Sequence, residues 1–207
     1  MNVKYELEKR KPWYHEIPVG NIMTPIEGSI GARPHKNNLD RINIISKEID
    51  LKGKTFFDFG CAEGALCFLA ESNGAKRVLG YEIDEGRRKR AEYLASLKSS
   101  DVRFTNKLPS FQLFDVTICF SASHYFEHPF LEFKNISDLT SAISFFEISV
   151  QPESSNEVSW RGPEKMGIIF PSWIMLERIG KYYKEIKILH DPDKDKIGRR
   201  IIIKAVK

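Results

Sequence analysis

The feature that most constrains this chain is a glycine-rich turn between a strand-like run and a helical run. Residues 55–64 read Thr-Phe-Phe-Asp-Phe-Gly-Cys-Ala-Glu-Gly, and the helical pattern Ala-Leu-Cys-Phe-Leu-Ala follows. Glycine lets the backbone approach a ligand closely, and a helix start offers N–H groups that have no partner within the helix. The next strand-like run ends in Glu82. In folds that begin with a strand, a glycine turn and a helix, an acid at the end of the next strand binds a pair of ribose hydroxyls. Together these features predict a site for a nucleoside cofactor.

Composition predicts a globular protein without a membrane span. The 207 residues are 42% hydrophobic and 29% charged, and no apolar run is long enough to cross a bilayer. The first residues lack the apolar stretch of a signal peptide, so we expect a cytoplasmic protein. The cysteines Cys61, Cys67 and Cys119 have no C-x-x-C spacing, which predicts buried thiols and no metal site.

The charge balance argues against a dedicated nucleic-acid binder. The formal net charge is +4 and the isoelectric point about 8.8, which is mildly basic. The densest basic run, residues 87–90, lies on a predicted helix beside Glu85 and Glu92 and is expected to face solvent.

Strands and helices alternate from residue 54 onward, which predicts an α/β fold with a doubly wound parallel sheet. The predicted strands are 54–59, 77–83, 101–105, 114–120 and 144–150, and the predicted helices are 64–73, 85–98 and about 129–142. After a further helix at 171–183, the strands 184–190 and 199–206 are joined by a loop too short for a crossover helix. These two strands are therefore expected to pair antiparallel. We expect residues 1–50 to form an N-terminal lid or helical extension, and residues 51–207 to form the main domain.

These motifs resemble those of class I S-adenosylmethionine-dependent methyltransferases. Asp58-Phe-Gly-Cys-Ala-Glu-Gly64 is similar to the first motif of the family, Glu82 to its ribose-binding acid, and residues 114–120 to its fourth-strand motif. The resemblance implies a Rossmann-like, seven-stranded sheet that is mostly parallel and ends in an antiparallel hairpin. Residues 74–80, 123–129 and 170–172 further resemble the branch that contains the tRNA wobble-uridine carboxymethyltransferase.

The resemblance implies S-adenosylmethionine as cofactor, with its carboxylate at the glycine turn, its ribose at Glu82 and its adenine near Ile83. The implied cofactor-binding residues are Asp58, Gly60, Cys61, Ala62, Gly64, Glu82, Ile83, Asn106, Phe120 and Ser121. Two positions depart from the family pattern. Ala62 replaces a glycine of the turn, and Asn106 stands where an acid often binds the adenine amino group.

A neutral hydroxyl acceptor needs a base as its oxygen attacks, and a histidine suits that role. His124 is the first candidate, and His15 and Glu147 are the next. Each has a structural alternative, because His124 can cap the following helix, His15 can be an ordinary surface histidine and Glu147 can anchor a loop. The predicted acceptor-side residues are Trp13, Tyr14, Tyr125, Trp160 and Arg161. For the three aromatic residues Trp13, Tyr14 and Trp160, ordinary packing is the alternative.

Four functions remain open from the sequence. The favoured one is O-methylation of a hydroxyl on a sugar, glycan or small metabolite, because the chain lacks a separate nucleic-acid module and a strongly basic face. The second is RNA (tRNA) modification, which the narrower resemblance implies. An NAD-dependent dehydrogenase would share the turn and the acid, but the predicted terminal hairpin and the spacing of Gly64 argue against it. A non-catalytic binding module is the fourth, and the oligomeric state is undetermined.

Overall fold

The fold is given by a computed structural model that describes residues 2–26, 33–151, 159–160, 168–191 and 199–207. The chain divides into two compact units, residues 1–108 and residues 109–207. Within the described ranges, no helix combines the length and the apolar composition that crossing a membrane requires.

The N-terminal unit contains four helices and five strands among its described residues. In chain order they are α1 (Val3–Lys9), β1 (Pro18–Val19), β2 (Ile22–Met23), α2 (His35–Glu48), β3 (Thr55–Phe59), α3 (Ala65–Ser72), β4 (Arg77–Tyr81), α4 (Glu85–Lys98) and β5 (Arg103–Thr105). The predicted strand–helix alternation is therefore present. Helix α1 and the small antiparallel pair β1–β2 lie where the sequence has no strong periodicity.

Strands β3, β4 and β5 are parallel, and their ends are level with one another. Phe59 pairs with Tyr81, and Tyr81 pairs with Thr105. Every residue of β3 is buried, as expected for a strand whose apolar character is nearly continuous. The residues that directly follow the three strands are Gly60, Glu82 and Asn106. The register thus brings the predicted turn and the predicted ribose acid to one edge of the sheet.

The C-terminal unit completes the mixed α/β architecture. Its elements are β6 (Phe114–Phe120), a single 3₁₀ turn (Ser123–Tyr125), α5 (Pro129–Asp138), β7 (Thr140–Gln151), β8 (Ser159–Trp160), β9 (Ile168–Pro171), α6 (Ser172–Gly180), β10 (Glu185–His190) and β11 (Arg199–Val206). Strand β6 pairs parallel with β7, and β9 pairs parallel with the end of β7.

The predicted antiparallel hairpin at the end of the chain is confirmed. Strand β10 pairs antiparallel with β11, and β11 pairs antiparallel with β7 over eight residue pairs. The fold class is therefore the one that the sequence predicts: mixed α/β, with a mostly parallel central sheet and an antiparallel hairpin.

The largest departure from the predicted boundaries lies between α5 and β7. The helix expected at about 129–142 ends at Asp138, and the following strand begins at Thr140 rather than at 144. The cause is a buried hydroxyl cluster, in which Thr140 Oγ1 lies 2.8 Å from both Thr117 Oγ1 and Ser144 Oγ. Because Thr117 lies on β6, its contact with Thr140 is tertiary, and it overrides the local helical pattern.

Candidate functional site

The glycine turn is built on residues with left-handed backbone. Gly60, Ala62 and Gly64 have φ values of 81°, 49° and 81°. The N–H groups of Gly60 and Cys61 both donate to the carbonyl of Tyr81, at 2.8 and 3.0 Å. The left-handed conformation costs a non-glycine residue about 1–2 kcal/mol, so Ala62 needs a compensating contact. That contact is a hydrogen bond from its N–H to Glu82.

Glu82 ties this turn to the start of the next helix. Its Oε2 accepts the N–H of Ala62 at 2.9 Å, and its Oε1 accepts the N–H of Asp84 at 2.8 Å. The side chain is only 5% exposed. A carboxylate can accept about four hydrogen bonds, so these two leave acceptor capacity for a pair of hydroxyl groups. The acid predicted to bind ribose is thus held rigidly at the sheet edge.

Two glycines allow close packing beneath the turn. A Cβ on Gly64 would lie 2.6 Å from the ring of Phe104, and a Cβ on Gly80 would lie 2.6 Å from Cys61 Sγ. Real Cβ atoms do not approach so closely, and a close-packed interior has no room to shift. The need for Gly80 was not visible in the sequence, because Phe104 and Cys61 are far from it along the chain.

We expect Gly64→Ala to destabilise the fold more than Gly53→Ala does. Both glycines have a left-handed backbone conformation, with φ of 81° for Gly64 and 72° for Gly53. A Cβ on Gly64 would meet the Phe104 ring, whereas nothing lies within 4 Å of a Cβ on Gly53. The backbone strain that both variants share costs about 1 kcal/mol, and overpacking against Phe104 adds about 1–3 kcal/mol for Gly64→Ala. Urea unfolding of both variants measures the difference. Equal losses would show that Phe104 moves aside without cost.

A buried acid and two buried thiols lie under the turn. Asp58 is 3% exposed, and burial, together with the nearby charge of Glu82, raises its pKa to about 7. The thiol of Cys67 lies 3.5 Å from Asp58 Oδ2 and donates to it, which partly offsets that rise. Burial raises the pKa of Cys61 to about 11. The thiols of Cys61 and Cys67 are therefore neutral groups buried in the core.

The two residues predicted to lie near the adenine are exposed, whereas the residues of the turn are mostly buried. Ile83 is 73% exposed, and Asn106 is also exposed. Ile83 is a large apolar side chain that is exposed directly beside the buried acid Glu82. A flat, apolar ring could pack against it and shield it from solvent. No group of three or more histidine, cysteine or acidic side chains within the described ranges could hold a metal ion.

The segment predicted as a lid contacts the glycine turn through Glu63. This glutamate is fully buried, and its Oε1 accepts the N–H of Tyr14 at 3.1 Å and lies 3.3 Å from Arg90 Nη2. His15 Nδ1 lies 3.6 Å from Glu63 Oε2. Glu63 was not among the predicted site residues. Its position inside the turn was the one feature of the sequence that could have indicated a role. The role itself could not be predicted, because the partners of Glu63 lie more than 25 residues away along the chain.

Trp13 and His15 are both buried. Trp13 is inaccessible to solvent and donates from Nε1 to the carbonyl of Leu7 at 2.8 Å, whereas Tyr14 is half-buried. His15 is 8% exposed, and burial, followed by the charges of nearby arginines including Arg41, lowers its pKa to about 3. An imidazole with so low a pKa is a weak proton acceptor.

In the C-terminal unit, Ser121, Glu147 and Arg200 meet at the carboxyl end of β6. Phe120, which is 7% exposed, pairs with Glu147, and Ser121 follows it with a left-handed φ of 58°. The Ser121 hydroxyl and Arg200 Nη1 both donate to Glu147 Oε2, the latter at 3.1 Å. Glu147 is thus an anchored, ion-paired carboxylate. Arg200 was not predicted as a site residue.

The remaining predicted acceptor-side residues are only partly described. His124 lies in the 3₁₀ turn after β6, and Tyr125 beside it is 59% exposed. Trp160 lies in the short strand β8, and Arg161 lies outside the described residues.

Solved structures that share this architecture include S-adenosylmethionine-dependent and other methyltransferases. The N-terminal domain of EvdMO1, crystallised with S-adenosylhomocysteine (SAH) bound, matches 99% of this chain and 95% of that domain with a TM-score of 0.79 and 15% identity. An S-adenosylmethionine-dependent methyltransferase from Mesorhizobium loti matches 84% of this chain and 100% of its own, with a TM-score of 0.63 and 16% identity. This is the methyltransferase fold. Magnesium protoporphyrin IX methyltransferase from Synechocystis PCC 6803, also with SAH bound, shares it at a TM-score of 0.65 and 14% identity over 84% of this chain and 82% of that one.

Curated relatives match only short segments of this methyltransferase-fold chain. Ribosomal protein L11 methyltransferase from Tolumonas auensis is 56% identical over 36 residues, which is 17% of this chain and 12% of that protein. The Vibrio campbellii protein of the same name is 34% identical over 76 residues, which is 35% of this chain and 25% of that protein. The chain thus spans a quarter or less of the length of these two relatives, and no family model matches it. The narrower tRNA-modifying branch stays a prediction.

Proposed function

We propose that this chain is an S-adenosylmethionine-dependent methyltransferase that O-methylates a hydroxyl of a sugar, glycan or small metabolite. The observation that carries the proposal is the placement of Glu82. Its carboxylate is fixed by the N–H groups of Ala62 and Asp84 at the edge where β3 and β4 end, beside the left-handed turn. Ligands of open α/β sheets bind at this edge. Structural neighbours crystallised with SAH support the same cofactor here.

The chain's own residues fit this cofactor. Glu82 accepts the ribose hydroxyls, Ile83 covers one face of the adenine, and Asn106 contacts its edge. The turn from Gly60 to Gly64 faces the amino-acid end. The cofactor supplies a methyl group on a positively charged sulfur, and the task of the protein is to hold an acceptor oxygen in line with that methyl group.

A sugar or small-metabolite acceptor is supported by two observations. The EvdMO1 domain, which matches 100% of this chain with a TM-score of 0.78, was also crystallised in the presence of SAH and D-fucose. In this chain, Ser121, Glu147 and Arg200 form a polar group at a strand end, and such a group suits hydroxyl-rich ligands better than apolar ones.

Cofactor choice is tested by thermal shift. SAH should raise the melting temperature, because a ligand that binds the folded state stabilises it, and NAD should not. Stabilisation by NAD alone would instead favour a dehydrogenase.

The acceptor class is tested by incubating the protein with radiolabelled S-adenosylmethionine and cell extract. The extract is left untreated, treated with ribonuclease or treated with protease. Label that survives both treatments supports the proposal. Label lost after ribonuclease would establish RNA as acceptor, and label lost after protease would establish protein.

His124 is the proposed general base, with Glu147 as the alternative. We expect His124→Ala to lower turnover by about 10²–10⁴-fold, and to leave SAH affinity unchanged, because a base acts on the acceptor. His128→Ala, an exposed histidine on the same loop, is the matched control. Full activity in His124→Ala combined with loss in Glu147→Gln would transfer the role to Glu147. His15, with its lowered pKa, is the weakest of the three candidates.

A further inference from the structure

Three residues of the C-terminal unit connect three neighbouring strands. We call Ser121, Glu147 and Arg200 the Arg200 network. Ser121 directly follows β6, Glu147 lies in β7, and Arg200 is the second residue of β11. Arg200 Nη1 donates to the Ser121 hydroxyl and to Glu147 Oε2, and the Ser121 hydroxyl donates to the same Glu147 oxygen. The serine hydroxyl therefore accepts a hydrogen bond from one strand and donates one to another, which fixes its orientation.

Ser121 has a side chain at a backbone position that favours glycine. Its φ is 58°, in the same left-handed region as Gly60 and Gly64, which both have φ of 81°. A non-glycine residue in this region is strained, and such strain persists only where the surrounding structure enforces it. The Ser121 N–H also donates to the carbonyl of Glu147, at 3.2 Å. Glu147 thus binds both the backbone and the hydroxyl of Ser121, and these contacts offset the strain.

Ser121 sets the direction in which the chain leaves β6. Because its φ is left-handed whereas strand residues are extended, the chain turns sharply at this position. The residues that follow, Ser123–Tyr125, form the 3₁₀ turn that contains His124. The N–H groups of Tyr125 and Phe126 donate to carbonyls within this segment, at 2.9 and 3.3 Å. The turn has hydrogen bonds of its own, so its placement at the strand end depends on Ser121.

Arg200 reaches Ser121 from a strand that runs antiparallel to β7. It pairs with Ser149, two residues beyond Glu147. The side chains of Arg200 and Glu147 are 22% and 8% exposed, so their ion pair at 3.1 Å is largely shielded from water. A shielded carboxylate needs a compensating donor, and a guanidinium supplies one with a fixed planar geometry. Loss of Arg200 would therefore weaken the contacts that hold Ser121 in its left-handed conformation.

We infer that Arg200 is a positioning residue for the acceptor loop, which we define as residues 121–128. Through Ser121 and Glu147 it holds this loop, and with it His124, at the carboxyl end of β6. The consequence for turnover rests on the proposed function, in which His124 is the general base. The inference assigns Arg200 no contact with the reacting atoms. It gives the antiparallel strand β11 a role in the reaction, because that strand carries the guanidinium.

Hydrogen exchange of the unliganded protein, followed by mass spectrometry, tests the positioning without an acceptor. In Arg200→Gln, the amides of the acceptor loop should exchange about tenfold faster or more, because a hydrogen bond from a charged group is lost. The amides of β6 and β7 should keep their wild-type rates, and Arg200→Lys should recover part of the protection. Lys204→Gln is the matched control. It removes a charge from the same strand, opposite Phe145, and should leave the loop unchanged.

Transfer of label from S-adenosylmethionine to cell extract measures the consequence for turnover. Arg200→Gln should lower the rate by about tenfold or more, with SAH affinity unchanged, and Arg200→Lys should recover part of the loss. Ser121→Gly tolerates the left-handed backbone but removes the hydroxyl, so it should lower the rate as well. If Arg200 acts through Ser121, the double variant should be no slower than the slower single variant. Independent structural effects would multiply instead.

Wild-type exchange in the acceptor loop of Arg200→Gln would overturn the assignment, and so would rate losses that multiply in the double variant. If circular dichroism shows that Arg200→Gln is unfolded, Ser121→Gly decides. Faster exchange confined to the loop would then support the inference, and unchanged exchange would overturn it. Wild-type protein that transfers no label would overturn the proposed function alone, because the exchange measurement decides the positioning without it.

Discussion

Replacing Glu82 with alanine should weaken SAH binding by about a hundredfold or more. The carboxylate accepts the N–H groups of Ala62 and Asp84, at 2.9 and 2.8 Å, and in the proposed complex it also accepts two ribose hydroxyls. Hydrogen bonds to a charged acceptor contribute about 1.5–3 kcal/mol each. Removal of the side chain therefore eliminates the ribose contacts and also releases Ala62 from its left-handed conformation.

Calorimetry with SAH and urea unfolding without ligand separate the two effects of the Glu82 change. We expect Glu82→Gln to lose most of the affinity as well, because an amide keeps only one oxygen for acceptance and turns an N–H group toward a donor. Glu85→Gln is the matched control, since this exposed acid is paired with Lys89 one turn further on. Undiminished SAH binding in Glu82→Ala would mean that the ribose lies elsewhere.

Replacing Asp58 with asparagine should remove a pH-dependent loss of stability of about 4 kcal/mol. The folded-state pKa of Asp58 is raised from 3.8 to about 7, mainly by burial. Between these values the folded protein keeps a proton that the unfolded chain has released. Stability from this group therefore falls as the pH rises from about 4 to about 7, and it changes no further above that range.

Urea unfolding of wild type and Asp58→Asn, from pH 4.5 to pH 8, measures this linkage. The variant should gain stability relative to wild type as the pH rises. His15, whose folded-state pKa is lowered to about 3, has the opposite effect, since its stability contribution increases from about pH 3 to its unfolded pKa of 6.5. Its contribution cancels in the comparison because both proteins carry it.

Cys67→Ala provides a further check on Asp58. The Cys67 thiol donates a hydrogen bond to the Asp58 carboxylate, which lowers the pKa of Asp58. Its removal should therefore raise that pKa further and extend to higher pH the range over which the stability falls. If the free energy of unfolding changes with pH in the same way for wild type and Asp58→Asn, Asp58 is already ionised in the folded protein at pH 5.

Local patterns were sufficient to predict the fold. Strands β3 and β6 are continuous apolar runs, and the short loop between β10 and β11 admits only an antiparallel pairing. The glycine turn was equally visible, because left-handed backbone at Gly60 and Gly64 requires a residue type that can be identified one position at a time. Helix α5 was predicted too long because the buried hydroxyl contacts of Thr140 are not local.

The sequence by itself determined the main strands and helices from β3 onward, the turn and the acid that follows β4, because each of these depends on neighbouring residues and on the periodicity of apolar side chains. Only the tertiary structure decided that Glu63 holds the segment at Tyr14, that His15 is buried, and that Arg200 meets Glu147. Those contacts join residues separated by about 50 positions, and no periodicity of a single segment encodes which distant side chain will become its partner.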